Sequence, residues 1–149
     1  MNTKELNLLF QRDLTRLQEE LQAYQNEENL WKVDGEIANS GGNLALHLIG
    51  NLRQFIAADL GGFGYERNRE QEFVATGKSR TALLEELDLV KDQVEKSLVT
   101  LDPNKLGDLS IHSFFGYQMT TGYFLIHLYG HFNYHLGQIN YHRRLLDLK

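Results

Sequence analysis

Apolar residues recur every three or four positions from Leu6 through Phe10, Leu14 and Leu17 to Leu21, the spacing of one face of an α-helix. Asn2 or Thr3 supplies its N-cap, and the stripe must bury against a core. The period lapses from Asn26 to Asn39, where Trp31 and the Asp34-Gly35 pair predict a loop that packs one large aromatic residue. A second helix begins near Ser40 to Asn43, carries Leu44, His47, Leu48, Leu52 and Phe55 along its apolar side, and stops at Gly61-Gly62. His47 therefore points inward. The polar stretch from Phe63 to Lys78 predicts a long irregular crossover of the kind that borders a site. A third helix from about Ser79 to Leu101 aligns Leu83, Leu87, Val90, Val94 and Leu98 and ends before Pro103, and a fourth runs from near Phe115 to Leu148. Two short links and one longer crossover then predict an all-α fold, an antiparallel four-helix bundle formed as a single domain over residues 1–149.

Composition supports the all-helical reading. The chain has one proline, is rich in Leu, Glu, Gln and Lys, and has 42% apolar residues over 149 positions, enough for one core. A net charge of -5, with Lys and Arg interspersed among acidic residues, leaves no basic stripe for nucleic acid. There is no cysteine, which excludes disulfides, thiolate zinc sites and a catalytic thiol, so any metal must use imidazole, carboxylate or water. No segment offers about 18 uninterrupted apolar residues, and Met1 to Leu6 lacks a signal-peptide pattern. A cytoplasmic protein without membrane contact is expected.

Five of the six histidines lie in the last 38 residues, and His127, His131 and His135 are spaced four apart, nearly in line on one helical face. Two imidazoles one turn apart can hold the same ion, and His131-Phe-Asn-Tyr-His135 is such a pair. A third imidazole from His47 on a facing helix would complete a three-His site with one coordination position free for water or substrate. The competing reading makes these histidines hydrogen-bonded core residues. The apolar neighbours Leu128, Phe132, Leu136 and Ile139 favour the metal, because buried neutral imidazoles need partners and a shared cation supplies one. His127 is expected beside the site rather than on the ion, and His112 and His142 at the surface.

Two segments carry a family resemblance. Gly42 to Gln54, with His47 inside Leu44-Ala45-Leu46-His47-Leu48-Ile49, and His127 to Ile139, with His131 and His135, resemble the signature stretches of the DinB and YfiT-like metalloprotein superfamily, and Arg67 to Phe73 looks like a subgroup feature. The resemblance implies a DinB-type four-helix bundle, often homodimeric. It also implies one divalent ion held by a histidine of the second helix and a histidine pair of the fourth, here His47, His131 and His135. Zinc suits imidazole ligands in an open tetrahedral site best, while nickel, copper and iron(II) share the ligand preference.

Similar proteins include transferases that use a low-molecular-weight thiol such as bacillithiol or mycothiol, so the resemblance implies a thiol cofactor and a small-molecule substrate. A metal would favour the thiolate at neutral pH, and the chain itself then needs no cysteine. Arg53, Arg67 and Arg69 are candidates to hold carboxylates of the thiol or its partner, against the alternative of a solvated charged loop. Tyr134 or Tyr141 could donate a proton, Gly137 could admit a close helix, and Gln138 could bond a ligand histidine. Two other functions stay open: a non-catalytic module stabilised by metal, which a fourth ligand such as His127 would favour, and a metal-dependent hydrolase. The hydrolase would want a carboxylate base, and none occurs between Ser110 and Leu146.

Overall fold

The computed structural model describes residues 1–148. Helix α1, Thr3–Ala23, starts where the side chain of Asn2 accepts from the backbone N–H groups of Lys4 and Glu5, and it buries Leu6, Phe10, Leu14, Leu17 and Leu21. Helix α2, Gly41–Leu52, is capped by Ser40 and continues through a π-helical turn, Arg53–Ala58. Gly62 takes the left-handed conformation (φ 72°) just beyond it, which only glycine adopts without strain, so the Gly61-Gly62 pair does terminate this helix. A short helix α3, Arg69–Val74, follows, then α4, Arg80–Thr100, capped by Ser79, and α5, Thr121–Leu146, capped by Thr120.

Four sequence expectations need correction. The stretch 26–39 contains a 3-10 turn, Glu27–Trp31, and the crossover 63–78 contains α3. Helix α3 showed no apolar period because the one residue it buries is a carboxylate, Glu72. Helix α5 begins at Thr121 rather than near Phe115, because the chain first closes a loop in which Ser110 and Thr121 donate to the carbonyls of Met119 and Asp108.

The helix directions explain the fourth correction, that none of the connections is short. Gln11 reaches the Lys91 carbonyl (3.0 Å) and Arg80 the Tyr24 carbonyl (2.8 Å), so α4 runs against α1. Arg12 meets Tyr129 (2.9 Å) and Glu20 meets Arg143 (2.8 Å), so α5 runs along α1. Phe55 packs on Phe124 and His47 on His131, so α2 runs against α5 and therefore along α4. Both α1 and α2 pack on α4 and α5, which puts α1 diagonal to α2, and α4 diagonal to α5. Links 24–40 and 101–120 must cross a diagonal, and link 59–79 must return the length of the bundle between two parallel helices.

One continuous core fills the helical bundle. Asp13 ties α1 to α5: its fully buried carboxylate accepts from Arg12, Arg16 (3.0 Å), Tyr129 (2.5 Å) and Asn133 (3.1 Å). Among the described residues no helix is long and apolar enough to cross a membrane.

Candidate metal centre

Antiparallel packing of α2 on α5 brings His47 against His131 and His135. The ring centroids lie 5.0 Å apart for His47 and His131, 5.1 Å for His47 and His135, and 4.6 Å for His131 and His135. One ring nitrogen from each lies within 4.8 Å of the others. His47 Nε2 and His131 Nε2 face each other at 3.1 Å. A tetrahedral ion about 2.1 Å from each nitrogen sets them about 3.4 Å apart, so the spacing suits such an ion.

The environment keeps the imidazoles available as ligands. Burial, with the nearby His135 and His47, lowers the His131 imidazole to about 3, so it is neutral at pH 7. Burial likewise lowers His135, partly offset by its Nδ1–H···Oε1 bond to Gln138 at 2.6 Å, the bond expected of Gln138. His131 Nδ1 is buried without a partner. Among the described residues its Nε2 has only the Nε2 of His47 as partner, and a cation shared between these two nitrogens would satisfy both lone pairs.

Glu72 is the residue that the sequence did not disclose. Its carboxylate accepts from His47 Nδ1 at 3.0 Å and from Arg67 Nε and Nη2, both at 2.8 Å. Burial pushes this carboxyl up, but the hydrogen bonds from His47 and Arg67 outweigh it and hold the group below the usual range, as a carboxylate. With Nδ1–H directed at Glu72, His47 presents Nε2 to the centre, and Phe73 packs its ring 4.9 Å from the imidazole. Gly50 makes this approach possible, since a Cβ there would lie 1.9 Å from Glu72 Oε2. Glu72→Gln should therefore weaken metal binding about 10- to 100-fold in equilibrium dialysis, with Gly50→Ala acting in the same direction.

Several other candidates fall elsewhere. His127 is outside the cluster: its ring stacks on Phe124, with its centroid 6.2 Å from that of His131. His142, expected at the surface, is 3% exposed and is pinned between the Tyr24 hydroxyl and the Lys32 carbonyl, both at 2.7 Å. Its i, i+3, i+7 register with Ile139 and Leu146 was the missed signal. His112 is also partly buried, bonded to Asp59 at 2.7 Å. Arg67 is occupied by Glu72, and Arg53 lies over Tyr65 in a different cleft, so only Arg69 borders the cavity with its guanidinium uncommitted to a carboxylate among the described residues. Tyr134 is exposed, with its ring 5.2 Å from His135, and Tyr141 lines a separate cleft with His142. Among the described residues no neighbour lies within 4 Å of a Cβ built on Gly137, so it admits no close helix.

His47 and His131 form part of the wall of a cavity of about 420 Å³, which Asn51 and a group of phenylalanines also border. The sequence matches the family model of the DinB superfamily over residues 9–139. The chain belongs to the DinB superfamily. The DinB match spans His47, Glu72, His131 and His135, so the convergence described above lies inside the family's own region. A comparison with curated proteins finds no match.

Proposed function

We propose that this DinB-superfamily protein binds one divalent ion, zinc first among the candidates, through His47, His131 and His135, and serves a small-molecule reaction in which a low-molecular-weight thiol is transferred to an electrophile. The observation that carries the reading is the convergence of three imidazole nitrogens beside an open cavity whose wall includes two of them, His47 and His131. When bound, the ion supplies a Lewis acid that favours the thiolate of an incoming thiol. The chain contributes the rest: Glu72 orients His47, Gln138 orients His135, and the phenylalanines thin the water around the reacting atoms. The absence of cysteine is consistent with a nucleophile that arrives from outside.

The alternatives are weaker on specific grounds. A closed structural site would need a fourth ligand, and His127 stacks on Phe124 instead. A hydrolase would need a free carboxylate base, and the carboxylate nearest the centre, Glu72, already has both oxygens engaged by Arg67 and His47. In the proposed reaction a sulfur–carbon bond forms as the carbon–leaving-group bond breaks; the leaving group takes the bonding pair and the thiol proton passes to solvent.

Zinc- or nickel-loaded protein incubated with bacillithiol or mycothiol and monochlorobimane should form the fluorescent thioether, with chloride released, at least about tenfold faster than the metal-free protein. Equal rates with and without metal for every thiol tried would remove the transferase reading and leave the metal centre to be judged by metal analysis alone.

A further inference from the structure

The cavity beside the three imidazoles is built for more than water. Phe55 stands edge-on to Phe114 at 5.5 Å and to Phe124 at 5.2 Å, and Phe115 meets His127 at 4.7 Å, so aromatic rings form much of its wall. Phe114 and Phe115 are 60% and 41% exposed, two large rings left in solvent at the edge of the cavity. They sit on the loop that the Asp59–His112 bond fastens to the end of the π-helical turn. Aromatic rings pair with one another edge-on or offset, and a flat apolar guest would cover surface that these rings now expose to water.

Two polar groups mark where the ends of such a guest belong. Asn51 lies one turn beyond His47 on α2, lines the cavity and is only 6% exposed, yet its Oδ1 is buried without any partner. A buried amide oxygen with no partner among the described residues is suited to accept a hydrogen bond from a ligand at the histidine end of the cavity. Arg69 borders the same cavity, exposed, with its guanidinium 5.2 Å from the Phe73 ring and no ion pair among the described residues. Guanidinium in that state favours a carboxylate.

We propose that the substrate taken by this cavity is a small aromatic carboxylic acid with a polar substituent opposite its carboxylate: Asn51 bonds the substituent, the phenylalanines enclose the ring, and Arg69 holds the carboxylate. The proposal rests on the three-His centre being the reactive end of the same cavity.

The test is calorimetric titration of zinc-loaded protein with para-hydroxyphenylacetate, phenylacetate and cyclohexylacetate, with zinc content measured on every sample and each titration repeated on metal-free protein. Para-hydroxyphenylacetate should bind best, phenylacetate about tenfold more weakly, and cyclohexylacetate, which lacks the aromatic ring as well, more weakly again. Asn51→Leu should erase the preference for the hydroxyl, and Arg69→Gln, an exposed position that leaves the fold intact, should weaken all three acids about tenfold. Binding that depends on zinc but is unchanged in Arg69→Gln would place the carboxylate on the metal and overturn the assignment. Equal affinity for the three acids, or no binding to zinc-loaded protein, would also overturn it while leaving the metal centre standing. The same discrimination by protein that takes up no zinc would support the cavity and remove the metal reading instead.

Discussion

Alanine at His131 is expected to remove stoichiometric metal while leaving the protein folded. The ring is one corner of a nearly equilateral triangle, with centroids 5.0 Å from His47 and 4.6 Å from His135, so its loss leaves two ligands on different helices. The affinity should fall by more than the roughly 100-fold that marks the upper range for losing an orienting partner. Alanine is the best helix former, so α5 should be undisturbed. Unfolding measurements separate binding from folding. Zinc at about a thousand times its dissociation constant adds about 4 kcal/mol to the unfolding free energy of a protein that binds it only when folded. The parent should gain that increment on zinc addition and the variant should not, while their metal-free stabilities stay within about 1 kcal/mol, because without an ion the half-buried ring has one hydrogen bond, to His47, and an unpaired second nitrogen.

The second large effect is expected at Asp13, far from the chemistry. Its side chain is fully buried and gathers Arg12, Arg16, Tyr129 and Asn133 at the contact of the parallel helices α1 and α5. Asn in its place keeps the shape, removes the charge and turns an NH2 group toward donors that have lost their acceptor. Arg12 and Arg16 are half exposed and stay solvated, while Tyr129 and Asn133 lose their acceptor, so the substitution should destabilise by about 1–3 kcal/mol, read at pH 7 by urea unfolding. Burial pushes the Asp13 carboxyl up, but the hydrogen bonds from Arg12, Tyr129 and Asn133 prevail and lower it from 3.8 to about 2. A carboxyl depressed in the folded state adds stability above its unfolded value, and that stability is lost as the pH falls through its folded value. The parent should therefore lose stability between pH 3.8 and about 2, and Asp13→Asn should show a flatter profile there. Parallel profiles for the two proteins would mean that the network does not hold the charge as described.

The sequence disclosed what depends on local period and lost what depends on pairing at a distance. The stripes of α1 and α4, the start of α4 at about Ser79 and the inward face of His47 follow from local pattern along one helix, and of the two caps offered for α1, Asn2 or Thr3, the structure uses Asn2. His131 and His135 were legible for the same reason. Glu72 was not, because it sits in a polar run and is buried only through Arg67 and His47, the latter on another helix. The roles of the three arginines could not be separated either, since Arg67 differs from Arg69 only in which side chain its guanidinium meets. Link lengths were misjudged because a bundle with parallel neighbours and diagonal successive helices has the same stripes as one with short hairpins. His142 was within reach, since its register with Ile139 and Leu146 places it inside.

The central claim is that His47, His131 and His135 share one ion. The most direct measurement is X-ray absorption of protein purified without a histidine tag and loaded with zinc, with metal content determined on the same sample. The account predicts about one zinc per chain, with nitrogen neighbours at about 2.0–2.1 Å and the outer scattering of three imidazole rings. Less than a tenth of an ion per chain after zinc loading, or a spectrum of oxygen neighbours without imidazole scattering, would contradict it and leave the three histidines as packing residues of the bundle.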